Sequence, residues 1–443
     1  MVDITVIGSG PGGREAAVQA AKRGLTVAVV SATPPGGRAT VGSLLPSKVW
    51  LAEAERYHEA RSLAPDLTPA VEAITAGVNR RMKQRSASVS EELEKLGVAV
   101  HLGSGVLLSP QRLRIEPTEE AADAYEIESR YVILATGSEP RFFPNVKPDG
   151  QRIIAPRHTR LLQEIPESIL FVGGGVTSTE YASVFAKLGS RVTIATNIER
   201  LLPRSDVDLV ASVTDYLTSL GVEIMRNTPI ASVEREGERV VTRSQGGEVI
   251  ETDYAFIATG RLPDHAAFAD LGLETNENGA LLTDAQQRTS ISTVFAVGDV
   301  TGAPMIANRA IRQGRVAAAA IVGDPEGDII SAGLNIEAVY THPGLAQVGP
   351  VQELREKEGA GVTCYRRGYG EALGPLIEDH GDGYIKIWED DTSGEVLGGA
   401  AFGEHAVELM APVQIAAERG MSLKELLRSP FAHPSMMEIL SIG

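Results

Sequence analysis

Hydrophobic positions along the chain fall into short continuous runs, separated by glycine turns and by stretches with helical spacing. Residues 2–7 (VDITVI) are an apolar run that ends in glycines, 14–23 (REAAVQAAKR) have alanine-rich helical spacing, and 25–30 (LTVAVV) are apolar again. A strand, turn, helix and strand within about thirty residues is the layout of a dinucleotide-binding βαβ unit. The same order returns at 169–172 (ILFV), Gly173-Gly174-Gly175, 179–188 (TEYASVFAKL) and 191–195 (RVTIA). Two nucleotide-binding units, spaced a domain apart, are therefore predicted. Between them, 48–60 and 72–96 read as long helices with polar faces, and 68–69 and 139–150 as loops. From about 328 the pattern changes to strand runs such as 336–341 (IEAVYT) and 384–388 (YIKIW). Helices near 405–419 and 422–428 follow, then a proline-flanked end, which makes an α+β unit of its own.

Length and charge narrow the picture. A chain of 443 residues with 43% apolar content suggests two or three domains with several cores. No run of about eighteen apolar residues occurs, so no membrane span is read. The opening MVDITVIGSGPGG is already a strand and a glycine turn, without the basic stretch and cleavage site of a signal peptide, and a cytoplasmic protein is expected. A formal net charge of −17 argues against nucleic acid as a partner. No metal-binding pattern is read. The one cysteine, Cys364, cannot close an intrachain disulfide.

Gly8-Ser9-Gly10-Pro11-Gly12-Gly13 fits G-x-G-x-x-G after a strand and before a helix. Gly8 allows the tight turn, Gly10 lets the backbone approach a pyrophosphate, and Gly13 lets helix and strand pack closely. In Gly173-Gly174-Gly175-Val176-Thr177-Ser178 a serine, small enough for close packing, takes the third glycine position. Two such units suggest two dinucleotides, and a flavin with a nicotinamide donor is the common reason to hold both. Ala135-Thr136-Gly137 and Ala258-Thr259-Gly260 each follow an apolar strand and read as paired closing elements. In Gly298-Asp299 the acid can accept bonds from sugar hydroxyls, although alone it would serve equally as a solvated turn residue.

The order of these strings resembles the pyridine nucleotide–disulfide oxidoreductases, which include dihydrolipoamide dehydrogenase, glutathione reductase and mercuric reductase. The resemblance spans essentially the whole chain. It takes in Gly36-Gly37 to Pro46-Ser47-Lys48, both ATG strings, Gly298-Asp299, Pro343 to Gly349 (PGLAQVG) and His433-Pro434. It implies an α/β fold with two Rossmann-like dinucleotide-binding domains, for FAD and NAD(P), plus a C-terminal α+β dimerisation domain. The implied division is 1–140 with 265–327 for FAD, 141–264 for NAD(P) and 328–443 for the dimer interface.

On these residues the resemblance implies FAD at Gly8, Gly10, Gly12, Gly13, Ser31, Gly37, Arg38, Lys48, Gly105, Gly137, Ala307 and, on the ribityl chain, Asp299. It implies NAD(P)H at Gly173, Gly175, Ser178, Thr196, Arg200 and Gly260. Lys48 and Glu180 match the family's ion pair beside the flavin ring. His433 and Glu438 match its C-terminal base and orienting acid, with Pro434 opening a final helix. In the family that histidine serves the flavin of the other subunit, so a homodimer with composite sites is expected.

The chain also departs from the family. The family's redox motif reads G-G-x-C-x-x-x-x-C-x-P-S-K, and here both cysteine positions are filled otherwise, by Ala39 and Leu44, with no gap in register. Cys364 lies on a strand-like stretch of the tail and reads as a buried small hydrophobe. Ser31 and Thr196 stand where acids for the ribose hydroxyls are expected. Without a carboxylate at 196 a 2′-phosphate is not repelled, and Arg200 and Arg204 lie nearby, which tilts the choice between NADPH and NADH towards NADPH. Val176 replaces the aromatic that often gates the nicotinamide pocket. The expected mechanism passes hydride from NAD(P)H to FAD and then directly to a small acceptor, a quinone or conjugated alkene, on a face lined by Ala39 and Leu44. Met436 and Met437 add adaptable apolar surface, and His433 supplies the proton. Two alternatives stand beside it. One is a non-catalytic FAD-binding redox sensor or partner-binding module. The other is flavin attack on a substrate disulfide, for which the protein lacks a sulfur nucleophile.

Overall fold

Three sheets organise the chain, in a computed structural model that describes residues 1–119, 122–324 and 334–441. The first is parallel, in the spatial order Ala99–Ser109, Val27–Ser31, Val2–Ile7, Tyr125–Leu134, Val294–Ala296. The central strand buries Ile4 and Val6 completely, as a strand covered on both faces must. Its helix starts at Pro11 and runs to Lys22, three residues ahead of the spacing, because proline suits a first helical position where its missing N–H costs nothing. Gly12 and Gly13 therefore lie in the helix itself. Its alanines Ala16, Ala17 and Ala20 are wholly buried, and they share a core with Ala317 and Ala318 of the Ala307–Val322 helix. Small residues let the two helices approach so closely that a Cβ on Gly12 would lie 2.9 Å from the Ala310 carbonyl oxygen. The long strands Ala99–Ser109 and Tyr125–Leu134 each leave the parallel sheet to pair antiparallel with Arg112–Pro117.

The second sheet is also parallel: Glu223–Met225, Arg191–Ala195, Ser168–Val172, Tyr254–Ile257, Ile153–Ile154. A three-stranded antiparallel sheet, Ile230–Glu236, Arg239–Ser244 and Val249–Thr252, lies beside it. The chain enters this unit through Ser138–Pro140 and leaves through Arg261–Pro263, which pair antiparallel with each other. The third sheet is antiparallel throughout, in the order Glu337–Val339, Gly344–Val348, Val396–Gly403, Tyr384–Asp390, Val362–Gly368. It is backed by the Ala406–Glu418 helix, whose Leu409, Met410 and Val413 are fully buried.

The two predicted polar-faced helices are Leu44–Leu63 and Val71–Lys95. Their buried sides, among them Trp50 and Val78, join a core with Phe171 and Phe185 of the second unit and Trp388 of the third sheet. The second and third sheets thus meet through these two helices around one apolar centre, while the first sheet packs in cores of its own with residues such as Ile4 and Leu134. The short helices Gly37–Val41, Val351–Glu356 and Leu373–Ile377 and the longer Val207–Ser219 and Ala307–Val322 were not foreseen. The C-terminus also differs from expectation. Met436–Leu440 is a 3₁₀ turn that starts after Ser435, and Pro434, joined to His433 by a cis peptide bond, lies ahead of it instead of opening a helix. The division expected between 327 and 328 lies outside the described residues. Among the described residues no helix is long and apolar enough to cross a membrane.

Candidate active site

Glycine shapes both nucleotide cradles. Gly8 has φ +109°, and the Ala135 carbonyl occupies the place its Cβ would take, while the Gly8 carbonyl does the same to Gly13. Side chains at either position would push the helix off the strand. Gly10 differs: a Cβ there meets nothing within 4 Å, so its backbone borders open space. Gly37, at φ +59°, closes one side of this space, its own Cβ position lying 2.5 Å from the Gly10 Cα. Further along, Ser138 donates to Asp299 Oδ2 at 2.5 Å and receives Arg261 Nε at 2.8 Å. Gly137 has φ +81° and Ala307 opens its helix. Gly105 packs against Val30, beside Ser31.

Arg38 is the cation of this trough. Its Nη2 lies 3.3 Å from Glu139 and 4.0 Å from a Cβ built on Gly137, while Nη1 is buried with no partner. Burial pushes the guanidinium pKa down, against the pull of Glu139, Asp299 and Asp264. A buried donor left unpaired next to an open glycine loop fits a diphosphate such as that of FAD. Ser31 makes no such offer. Its buried Oγ is 2.6 Å from Ser9 Oγ and donates to the Thr33 carbonyl at 2.7 Å, so it does not stand in for a carboxylate.

The second cradle repeats the geometry. Gly173 has φ +120° with the Ala258 carbonyl in its Cβ position, and Gly175 is open. Ser178, in the first turn of the Val176–Lys187 helix, is fully buried with its Oγ unpaired, which fits a phosphate at a helix N-terminus. Gly260, at φ +105°, also borders open space, and Val176 is 43% exposed. Thr196 is buried, its Oγ1 2.7 Å from the Cβ position of Gly174. Arg200 turns back to the Pro203 carbonyl at 2.9 Å and Arg204 pairs with Glu337 at 3.5 Å. Both guanidinia near Thr196 are thus engaged with the protein.

Between the cradles, Lys48 Nζ lies 2.7 Å from both oxygens of Glu180. Lys48 projects from the Leu44–Leu63 helix and Glu180 from Val176–Lys187. Glu180 is almost wholly buried, and its Oε1 also accepts the Tyr340 N–H at 3.0 Å. The Tyr340 ring centroid is 4.3 Å from Lys48 Nζ. Sequence reasoning missed Tyr340, because nothing in IEAVYT marks an aromatic residue as a neighbour of position 48. Ala39 lies in the short Gly37–Val41 helix, and Leu44, 45% exposed, begins the next one.

His433 and Glu438 are also brought together. The imidazole Nδ1 bonds Glu438 Oε2, and Glu438 Oε1 accepts the Gly374 N–H. Burial alone would raise the Glu438 pKa, but the Gly374 amide and His433 hold it below the ordinary carboxylate value. His433 itself is 66% exposed. Among the described residues, no hydrogen bond or ion pair joins this dyad to Lys48 or Glu180 within one chain. Cys364 is half-buried opposite Trp388, its thiol pushed up to about 11 by burial and then by Glu358.

Two open glycine cradles, an ion pair between them and an acid-oriented histidine are the outline of an oxidoreductase that works with two dinucleotides. The chain belongs to the pyridine nucleotide-disulphide oxidoreductase family, which it matches over residues 2–314, with that family's dimerisation domain over 336–441. It is 30% identical to dihydrolipoyl dehydrogenase 2 of Haloarcula marismortui, over 98% of this chain and 94% of that one. It is 28% identical to an NAD(P)H dehydrogenase (quinone) of Mycobacterium tuberculosis, over 98% and 91%. The fold superposes on LpdA from M. tuberculosis with a TM-score of 0.94 at 26% identity, covering 100% of this chain and 98% of the other. It superposes on the HOCl-induced flavoprotein disulfide reductase RclA from Escherichia coli with a TM-score of 0.87 at 23% identity, over 99% and 98%, a likeness of fold alone. Family members bind FAD and NAD(P)H. The resemblance drawn from the motifs, the two Rossmann-like units and the C-terminal dimerisation domain are thus borne out.

Proposed function

We propose that this chain is an NAD(P)H-dependent flavoprotein oxidoreductase that reduces a small non-disulfide acceptor, of the quinone or conjugated-alkene type, without a protein dithiol. The carrying observation is the retained Lys48–Glu180 pair beside redox positions held by Ala39 and Leu44. FAD, when bound, supplies the two-electron carrier between the nicotinamide and the acceptor. Gly8, Gly10, Gly12, Gly13, Ser31, Gly37, Gly105, Gly137, Asp299 and Ala307 form its cradle, and Arg38 neutralises its diphosphate. Gly173, Gly175, Ser178, Thr196 and Gly260 hold NAD(P)H, while Arg200 stays on the Pro203 carbonyl. With Arg200 and Arg204 engaged, the preference for NADPH rests on the missing carboxylate at Thr196.

Lys48, oriented by Glu180, sets a positive charge where negative charge develops on the reduced ring. Ala39 and Leu44 give the acceptor face an apolar lining. Reduction of a quinone takes one hydride equivalent and one proton. His433 delivers that proton from Nε2, because Glu438 engages Nδ1. The chain acts as a homodimer in the cytoplasm, each His433 serving its partner's site. The relative named for quinone reduction supports this acceptor class, while the dihydrolipoyl dehydrogenase relatives carry the thiol alternative. The division into 1–140 with 265–327, 141–264 and 328–443 follows the same reading.

The test is anaerobic reduction of purified, FAD-loaded protein by NADPH and NADH, then turnover with quinones, activated alkenes and lipoamide. Turnover with a quinone or alkene and none with lipoamide is expected. Lipoamide turnover would overturn the reading. Reduction by NAD(P)H with no acceptor turned over would support the sensor alternative, which the missing cysteines favour.

A further inference from the structure

The Leu44–Leu63 and Val176–Lys187 helices carry two ion pairs, not one. Lys48 meets Glu180 and, seven residues further along each helix, Glu55 meets Lys187, with the signs exchanged. Opposite polarity at successive contacts fixes the register, since sliding one helix along the other would set like charges together. Glu180 and Lys187 are both at least nine-tenths buried, so neither is held by water.

One segment of the third sheet crosses both pairs. Just beyond the Glu337–Val339 strand, the Tyr340 N–H donates to Glu180 Oε1 at 3.0 Å, and the His342 carbonyl accepts Lys187 Nζ at 3.2 Å. Thr341 between them is buried. The backbone from 340 to 342 is thus a strap over the seam between the two helices. At its first residue the aromatic ring lies 4.3 Å from Lys48 Nζ.

We infer that Tyr340 is a positioning residue for Lys48, its ring and amide together setting the direction of the ammonium. Two faces of that ammonium are taken, one by both Glu180 oxygens and one by the ring. Lys48 keeps 30% of its side chain exposed, so it is not closed off on every side. A lysine on a four-carbon stem otherwise samples many rotamers. A cation–π contact at an exposed site is worth about two- to fivefold in an equilibrium, and more when desolvated. The Tyr340 amide acts at one remove, holding the carboxylate that holds the lysine. The inference rests on the reading that Lys48 sits beside the flavin.

The experiment measures the midpoint potential of bound flavin and its anaerobic reduction rate by NADPH in the FAD-loaded full chain. Lys48→Ala should lower the potential most. Tyr340→Leu should lower it by a part of that shift and slow reduction about two- to fivefold. Tyr340→Phe should match the parent, because the ring is the agent. Tyr340→Trp, with the stronger ring quadrupole, should shift the potential upward, and it stands in if the leucine variant does not fold. The double variant Lys48→Ala/Tyr340→Leu should equal Lys48→Ala alone. Tyr340→Leu at the parent potential beside a shifted Lys48→Ala would overturn the inference, as would an additive double variant. If Lys48→Ala itself shifts nothing, the placement of Lys48 at the flavin falls, and the inference with it.

Discussion

Arg38→Met should move two quantities in opposite directions. In the protein without FAD, Nη1 is buried and unpaired. An unsatisfied buried donor costs about 1–3 kcal/mol, at the low end here because the side chain is 27% exposed. Against this stands the contact with Glu139 at 3.3 Å, whose carboxylate is 61% exposed, a pair worth about 0–1 kcal/mol. Methionine keeps the unbranched stem that packs on Gly42. Unfolding free energy without FAD should therefore be unchanged or rise by up to roughly 1 kcal/mol. FAD binding should weaken. A hydrogen bond to a charged group contributes about 1.5–3 kcal/mol, so FAD affinity should fall roughly ten- to hundredfold. Riboflavin has no diphosphate and should bind both proteins alike, whereas ADP should follow FAD. The assay pairs denaturant unfolding of the FAD-free protein with fluorescence titrations of the three ligands. If FAD affinity stays within about twofold of the parent, or if riboflavin loses as much as FAD, Arg38 does not face the diphosphate.

The purified protein should be yellow, with about one FAD per chain, and reductive titration should end near one two-electron equivalent without a thiolate-to-flavin band. An uptake of two equivalents would reveal a second redox centre. A heterodimer of His433→Ala and Lys48→Ala chains should recover a substantial fraction of acceptor turnover if each site is built from two chains, since one site then keeps both residues; no recovery on mixing refutes the composite site. The His342–Glu404 contact should make stability depend on pH. The bond to Glu404 raises His342 above 6.5, so its contribution is complete below that value and is lost as pH rises through the raised pKa. Glu404 is lowered despite burial, so its contribution is present above 4.5 and is lost as pH falls through the lowered pKa. The stability gap between parent and His342→Gln should thus peak between 4.5 and 6.5 and shrink in alkali, and a gap flat from pH 5 to 9 would show the pair to be neutral. With its pKa near 11, Cys364 should react slowly with thiol reagents at pH 8 in the native protein and fast in denaturant. Fast native labelling that abolishes turnover would mean it has a redox role.

The parts legible in the sequence were those where one residue type answers a local backbone demand. Gly8 and Gly13 could be read because any Cβ there strikes a carbonyl, and the Pro46-Ser47-Lys48 register could be read because it carries no gap. What stayed hidden depends on distant packing. The long helix was expected from 48, yet it starts at Leu44, and of its first turn only Leu45 packs on the shared core while Leu44 is exposed, so no apolar periodicity marks the start. Arg200 looked available for a phosphate, but its partner, the Pro203 carbonyl, appears only when the loop is folded. Tyr340 is 292 residues from Lys48 in the chain (340 less 48), and no local pattern marks their meeting. The seven-residue spacing shared by Lys48 with Glu55 and by Glu180 with Lys187 was the one sequence signal that could have revealed a second ion pair.

The antiparallel pairing of Ser138–Pro140 with Arg261–Pro263 has a topological consequence. The 120 residues from 141 to 260 leave and rejoin the chain at neighbouring points, where the Arg141 amide bonds the Gly260 carbonyl at 2.9 Å. The first sheet receives its last strand, Val294–Ala296, only after this excursion, yet none of its own strands is contributed by the excursion. The unit from 141 to 260 is in this sense a cassette plugged into a socket two strands wide. Its insertion leaves the threading of the first sheet untouched, but Phe171 and Phe185 in the shared core, and Glu180 and Lys187 at the helix seam, tie it to the rest of the chain. A change on the outer surface of that unit therefore leaves the first sheet alone, whereas one at Phe171 or Phe185 reaches the Leu44–Leu63 helix and the third sheet.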